Sequence, residues 1–505
     1  MLQSVDARSR LSGRLPILSL VICVLQPVLD VLSYWQIQLG FPNYITLGLR
    51  IGMIALMVLL ALPFQRRRKL LLFFVLGIIL YLTAHVLTCL KVSSAYNLKE
   101  DLSEQARILM LPVSAYCFIV YIRENEKVFD GVKTGLMIDF GLILLIMILS
   151  AVTGTDPHTY AAKGIGICGW FFWTNAQSAI LSLLSPLVIV WTIHKFSGKI
   201  LPLVAACLLS FGALFAFGTR LAYAALAATG ICLSVCLLIS GRKRWPQALA
   251  VLLSAALFLA LYPVSPMNRN RSAMSENAHI KQERIETAVA EARELYGAED
   301  GGAGAPVDLR VLAAAYRFNL QGMVDRFGID RVAEAYDYTL DYVRICDDRV
   351  RKQVFCRLLM DESINSAPLT RLFGMELGRT RVEETEVYVF ETDQWEKQPE
   401  PSDPENDLLG VYYLCGIVGV GCLILFLGYF AWLSMKSLRK EPKKMFAPEN
   451  AAYLIAFAIC LVYAVSTVSV LRRNNASFYF AIVLACVWRL SWNRPSGETK
   501  KELIP

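Results

Sequence analysis

Apolar runs of about 20 residues, the length needed to cross roughly 30 Å of hydrocarbon, recur along the chain without the alternation of half-buried strands. They predict membrane spans near 15–37, 44–64, 69–90, 106–122, 134–153, 174–193, 200–217, 221–240, 246–263, 409–433, 451–470 and 477–492. One polar block, Pro266 to Asp407, separates the first nine from the last three. The pattern predicts an all-α polytopic membrane protein of about 12 transmembrane helices, with a large, mostly helical insert between the ninth and tenth. Three domains follow: residues 1–263, 264–408 and 409–505, the last ending in a tail.

Inside the polar block, residues 281–296 are rich in helix formers, and Gly301 to Gly304 read as a break. From Val307 to about Met360, apolar residues recur every three or four positions, which predicts two or three amphipathic helices. A turn is expected at Leu372 to Gly378 and a short strand at Val387 to Glu391, while Pro399, Pro401 and Pro404 force an extended approach to the tenth span.

Charge sets the orientation. Lys and Arg collect in short cytoplasmic connections, and every second connection here is basic: Arg8 to Arg14, Gln65 to Lys69, Arg123 to Lys133, Lys195 to Lys199, Arg242 to Arg244, Lys436 to Lys444, then the tail. Both termini are therefore expected in the cytoplasm and the insert outside it. Residues 264–408 carry 18 Lys/Arg against 28 Asp/Glu, or −10, so the formal +8 of the whole chain comes from the remainder. That basicity reflects topology and gives no reason to expect nucleic acid as a partner. The first apolar run is too long for a cleavable signal peptide and lacks a small-residue cleavage site.

Thirteen cysteines fall mostly inside spans, where they behave as small apolar residues. Cys346 and Cys356, on one helix, would be about 15 Å apart and unable to pair. With no CxxC pair and four scattered histidines, no metal site is expected.

Ionisable groups inside spans cost about 2.5–3.5 kcal/mol on insertion scales and normally find partners. Asp30 and Arg50 fall at about the same depth in the first two spans and are expected to pair as a structural tie. Arg220 follows Gly218-Thr219 in a tight connection; it could snorkel or grip phosphate oxygens bidentately. Arg107, Arg472 and Arg473 lie on the same expected face, and four boundary arginines suit a lipid-linked pyrophosphate. Before the sixth span, Tyr160, Lys163, Trp170, Trp173 and Asn175 could form a sugar-binding shelf, or the tryptophans could be interfacial belt residues. Glu405 and Asp407 stand at the mouth of the tenth span, where a carboxylate can act as a general base or simply cap the helix.

These marks resemble the O-antigen ligase and polymerase family of bacterial polytopic membrane glycosyltransferases, particularly its Gram-positive members. The resemblance rests on the span count, the large insert, Gly218-Thr-Arg220, Tyr160 to Asn175, Gln26-Pro-Val-Leu-Asp30, and Glu405-Asn-Asp407 leading to Gly416. Better-known ligases have a His-containing motif near the end of the large loop, where this chain has Glu405-Asn406-Asp407 and no histidine. The resemblance implies metal-independent transfer or polymerisation of an undecaprenyl-pyrophosphate-linked glycan, onto a glycan or envelope acceptor, outside the bacterial cytoplasmic membrane. It requires neither a cofactor nor a nucleotide sugar. Arg220, with Arg107 and Arg472, would hold the pyrophosphate, and Glu405, ahead of Asp407, would be the base. Lys163 and Glu405 are expected to converge on Arg220. A transporter or flippase of lipid-linked sugar, or a non-catalytic envelope assembly protein, would tolerate the same surface charges. The halves show no internal repeat of the kind transporters usually carry.

Overall fold

The computed structural model describes residues 2–41, 44–65, 68–93, 96–297, 307–376, 385–389, 394–398 and 406–491. The first part of the chain is a succession of helices: α1 (Leu2–Gln38), α2 (Tyr44–Ala61), α3 (Arg68–Val92), α4 (Leu98–Glu124), α5 (Lys127–Val152), α6 (Thr174–Lys195), α7 (Ile200–Phe217), α8 (Arg220–Ile239) and α9 (Trp245–Ala260). The insert follows: α10 (Pro266–Tyr296), α11 (Leu309–Tyr316), α12 (Gln321–Phe327), α13 (Ile329–Ala335), α14 (Tyr342–Cys346), α15 (Asp348–Glu362), α16 (Pro368–Phe373) and a hairpin of β1 (Thr385–Val389) with β2 (Gln394–Gln398). The strands are antiparallel, with Val387 opposite Glu396. The chain then re-enters the bundle with α17 (Asp407–Lys440), α18 (Pro442–Met445), α19 (Pro448–Ser466) and α20 (Asn474–Ser491).

Among the described residues ten helices are long and apolar enough to cross a membrane: α1 to α8, α17 and α19. The protein is a multi-pass, helical membrane protein. The other two expected spans are helices of a different character. α9 has only 16 residues before a 3₁₀ turn at Tyr262–Val264. α20 has 18, but begins on two asparagines and carries Arg489.

That difference follows from position in the bundle. Every residue of α20 from Asn475 to Val487 is buried, and it packs against α4, α17, α19 and α6. A helix enclosed by protein need not be uniformly apolar, because its polar groups find partners there. α6 is its companion at the centre. α3 lies at the periphery and leaves Leu72, Phe73, Leu76 and Leu80 exposed, as a lipid-facing helix should.

The insert has more and shorter helices than the apolar periodicity suggests. Gly328, at φ +83°, separates α12 from α13, and Asp341 and Asp347 cap α14 and α15 through their side chains. Phe327, Phe355, Tyr316 and Tyr336 are buried at its centre. All thirteen cysteines are free; Cys346 ends α14 and Cys356 lies in α15.

Candidate functional site

The connection between α7 and α8 is Gly218-Thr219, fixed by its own backbone geometry and by contacts with α6, α10 and α19. Gly218 has φ +75°, a conformation other residues resist, and a Cβ there would come within 2.6 Å of Pro266 at the start of α10. Its smallness therefore lets the insert rest directly on this turn. Thr219 caps α8 by accepting from the Ala222 amide at 3.2 Å. Its hydroxyl also meets Ser178 Oγ at 2.6 Å, and Ser178 meets the Tyr463 hydroxyl at 2.7 Å. Three helices are thus joined by hydroxyls beside Arg220, whose side chain is exposed.

This turn forms the floor of a polar cavity of about 1020 Å³ between the helix bundle and the insert. From the bundle come Tyr160, Asn175, Ser178, Thr219, Arg220 and Tyr463; Asn406 lines it from the approach to α17. Tyr160 donates to the Gly218 carbonyl at 3.3 Å. Burial raises its phenol above the ordinary pKa, while the nearby Arg220 guanidinium and Asn270 of α10 pull the other way. The insert contributes Asn270, Met274 and Asn365, together with one face of α15 that includes Arg349, Lys352 and Arg357. Those α15 cations gave no distinct signal in the sequence, because nothing there indicates which way the helix faces.

A second, apolar groove of about 380 Å³ runs between α8 and α19. On α8 its lining descends in steps of four: Ala224, Ala228, Cys232, Cys236. From Leu221 to Cys236 that is about 22 Å of helix. Leu221 and Tyr463 line both the groove and the polar cavity, so the two adjoin at the insert end of the bundle.

The other candidates distribute differently. Lys163 lies on the 3₁₀ turn Ala161–Lys163, half-buried, three residues past Tyr160, and does not line the cavity. Trp170 donates its indole N–H to Thr155 at 2.9 Å and meets Trp35 edge-on. Glu405 lies outside the described residues. Asp407 is fully buried, and its Oδ2 accepts from the amides of Ser469, Val470 and Leu471 at 3.1, 2.7 and 2.9 Å. Asn406, not Asp407, caps α17, accepting from Leu409 N at 2.7 Å.

Arg107 and Arg472 border a separate, smaller cleft of about 110 Å³, with Asp30, Arg50, Trp173 and Arg473. There Arg50 donates to Asp30 Oδ1 at 2.5 Å and to Gln26 Oε1 at 3.1 Å, and Asn475 reaches Asp30 Oδ2 at 3.4 Å. Arg107 pairs with Glu104, Arg472 lies across Gly410, and the Arg473 guanidinium stacks 3.5 Å above Trp173. Of the four boundary arginines, Arg220 alone borders the large cavity.

Sequence reasoning did not anticipate a third polar cluster. His85, Cys89 and Asp101 have donor atoms within 4.8 Å of one another, the one such group among the described residues that could hold a metal ion. Its polar atoms already have protein partners. His85 Nδ1 meets the Phe373 carbonyl at 2.7 Å, Nε2 meets both Asp101 oxygens at 3.0 Å, and Tyr96 donates to Asp101 at 2.7 Å. Nearby, Glu376 accepts from Ser93 Oγ at 2.6 Å and Asn97 N at 3.0 Å. The cluster ties the end of α16 in the insert to α3 and α4. Spacing alone could not reveal it, since His85, Asp101 and Phe373 come together only in the fold.

The chain matches the family described as O-antigen ligase like membrane protein over residues 14–488, nearly its whole length. No curated protein matches it.

Proposed function

The chain belongs to the O-antigen ligase-like membrane proteins, and from that premise we propose that it transfers or polymerises a glycan carried on a polyprenyl pyrophosphate, undecaprenyl in bacteria. One observation carries this reading: the polar cavity and the apolar groove share Leu221 and Tyr463. A substrate with a long hydrocarbon tail and a large polar head needs those two environments in immediate succession. In this reading the tail lies along Ala224, Ala228, Cys232 and Cys236, and the pyrophosphate meets Arg220 where groove becomes cavity.

On this reading each group of the cavity takes a role. Tyr160 and Asn175, with the hydroxyls of Ser178 and Thr219, supply hydrogen-bond partners for sugar. The acceptor hydroxyl attacks the anomeric carbon, the bond from that carbon to the pyrophosphate oxygen breaks, and the lipid pyrophosphate leaves against Arg220. The hydroxyl proton passes to a base, which we assign to Glu405 because its neighbour Asn406 lines the cavity. Asp407 is a weaker candidate, with no exposure and one oxygen given to three amides. Arg107 and Arg472 stand back from the reacting atoms in the smaller cleft. The basic connections support an orientation with the termini in the cytoplasm; on that reading the cavity opens outside the bacterial cytoplasmic membrane and serves assembly of envelope polysaccharide.

Reconstituted protein given long- and short-chain lipid-pyrophosphate glycans tests this. Cys232→Trp should fill the groove and slow transfer from the long-chain donor at least tenfold, with little effect on a short one. Arg220→Lys, which replaces a planar fork by a point charge, should lower turnover about a hundredfold, or roughly 2.7 kcal/mol of barrier. Glu405→Gln should remove turnover while donor binding persists. Indifference of both donors to Cys232→Trp, together with full activity of Arg220→Lys, would overturn the assignment.

A further inference from the structure

Helix α15 divides cleanly into two faces. Val354, Phe355, Leu358 and Leu359 are buried in the insert. Arg349, Lys352, Gln353 and Arg357, spaced at three and four residues so as to share a face, line the large cavity opposite Arg220. The insert as a whole is acidic, with 28 carboxylates against 18 cations over residues 264–408. A cationic wall is therefore not what its composition would produce by chance.

Nearby arginines of the insert are neutralised by its own carboxylates. Arg344 pairs with Asp337 at 2.9 Å, Arg326 with Glu362 at 3.7 Å, and Arg351 with Asp348 at 3.8 Å. Arg349 and Arg357 form no ion pair with a described carboxylate. Of the two carboxylates on the cavity wall, Asp348 faces Lys281 at 3.7 Å as well as Arg351, and Asp361 accepts from the neutral amide of Asn365 at 2.8 Å. Arg349, Arg357 and Arg220 thus outnumber the one carboxylate that has no described cation beside it. Arginine charge lining a cavity with no ion pair to a described carboxylate raises the local concentration of anions. Arginine forks match the geometry of phosphate and carboxylate.

Arg220 already provides for a pyrophosphate on the bundle wall. At about 1020 Å³ the cavity is at the upper end of the range for ligand sites, about 300–1,000 Å³, and its α15 wall offers cations apart from Arg220 on the bundle wall. We propose that this face of α15 receives the acceptor, and that the acceptor is an anionic glycan whose phosphodiester or carboxylate groups meet Arg349 and Arg357. The proposal rests on the glycan-transfer reading and adds the acceptor's chemical class to it.

Full-length protein in lipid nanodiscs provides the test, with three fluorescent probes of similar length: a glycerol-phosphate oligomer, an oligogalacturonate and a neutral malto-oligosaccharide. At least one anionic probe should bind at least tenfold tighter than the neutral one and weaken steeply as salt rises. Which anionic probe binds tighter identifies the group as phosphodiester or carboxylate. The double variant Arg349→Gln/Arg357→Gln should lose that preference at least tenfold, whereas Arg351→Gln, whose charge already has a partner, should keep it. In turnover assays the double variant should raise KM for an anionic acceptor while leaving the donor KM unchanged. Equal binding of neutral and anionic probes, an unaltered double variant, or a rise in donor KM alone would each overturn the proposal. The two readings fail differently. Without glycan transfer no acceptor is used, whereas failure of this inference alone leaves neutral and anionic acceptors used equally and the double variant active.

Discussion

Replacing Asp407 separates an anchoring carboxylate from a catalytic one. Its Oδ2 is the common acceptor of three consecutive amides in the 469–471 segment, which links α19 to α20. Hydrogen bonds to a charged group contribute about 1.5–3 kcal/mol each, and neutral ones about 0.5–1.5. Asp407→Asn keeps an acceptor oxygen but loses the charge, so it should cost about 1 kcal/mol per bond, or about 3 kcal/mol in all. Asp407→Ala leaves the amides without an acceptor in a buried site and should cost more, up to about 3 kcal/mol for each. Thermal unfolding in detergent, with turnover normalised to folded protein, reads both effects. The anchoring role predicts a lower melting temperature for Asn and a lower one still for Ala, with turnover per folded molecule largely retained at permissive temperature. An Asn variant that melts like the parent but has lost turnover would refute the anchor and return Asp407 to the chemistry.

The Asp30–Arg50 pair, buried on both sides, predicts a non-additive cycle. Either alanine variant should destabilise by about 3–5 kcal/mol through the charge left unpaired, and the double variant by less than the sum; strict additivity in thermal unfolding would show that the pair contributes no coupling. Gly416→Ala is a test of packing. At φ 62°, ψ −169° the residue occupies backbone space essentially reserved for glycine, and a Cβ would strike the Leu372 carbonyl. Conformational strain alone costs about 1–3 kcal/mol, so folded yield should fall sharply, while Gly421→Ala, with open space around it, should not change it.

The class of protein was legible because hydrophobic length is a one-dimensional signal. Ten of the expected spans needed nothing more. α20 illustrates where that signal weakens: its asparagines and Arg489 are tolerated only because protein surrounds it, and composition cannot reveal what surrounds a helix. Asp30 and Arg50 could be set against each other because adjacent helices measure depth in the same 1.5 Å steps. The polar cavity was harder. Arg220, Tyr160 and Asn175 are marked locally by a tight turn or an aromatic loop, but α15 is marked by nothing. Its cations look like the solvated face of an ordinary amphipathic helix until the fold sets that face against the cavity. The His85 cluster was invisible for a related reason, since its partners lie on three separate segments.

Arg220 was ambiguous in the sequence between snorkelling and anion binding, and its setting favours the second. It is the first residue of α8, where the helix dipole presents partial positive charge. A cation there is opposed by about 0.3–1 kcal/mol, so helix stability gives no reason for its presence. Thr219 has already taken the capping role, accepting from Ala222. The side chain lines a polar cavity rather than the apolar groove beside it, and it forms no ion pair with a described carboxylate. A snorkelling arginine needs only water at the membrane surface, whereas this exposed side chain lines a cavity roofed by the insert, next to the turn where Gly218 packs against Pro266. The same dipole that opposes a lone guanidinium favours an anion shared between that guanidinium and the first-turn amides. In the proposed transfer, a charge that helix α8 disfavours would become favourable on binding a pyrophosphate, which would concentrate binding energy on the leaving group.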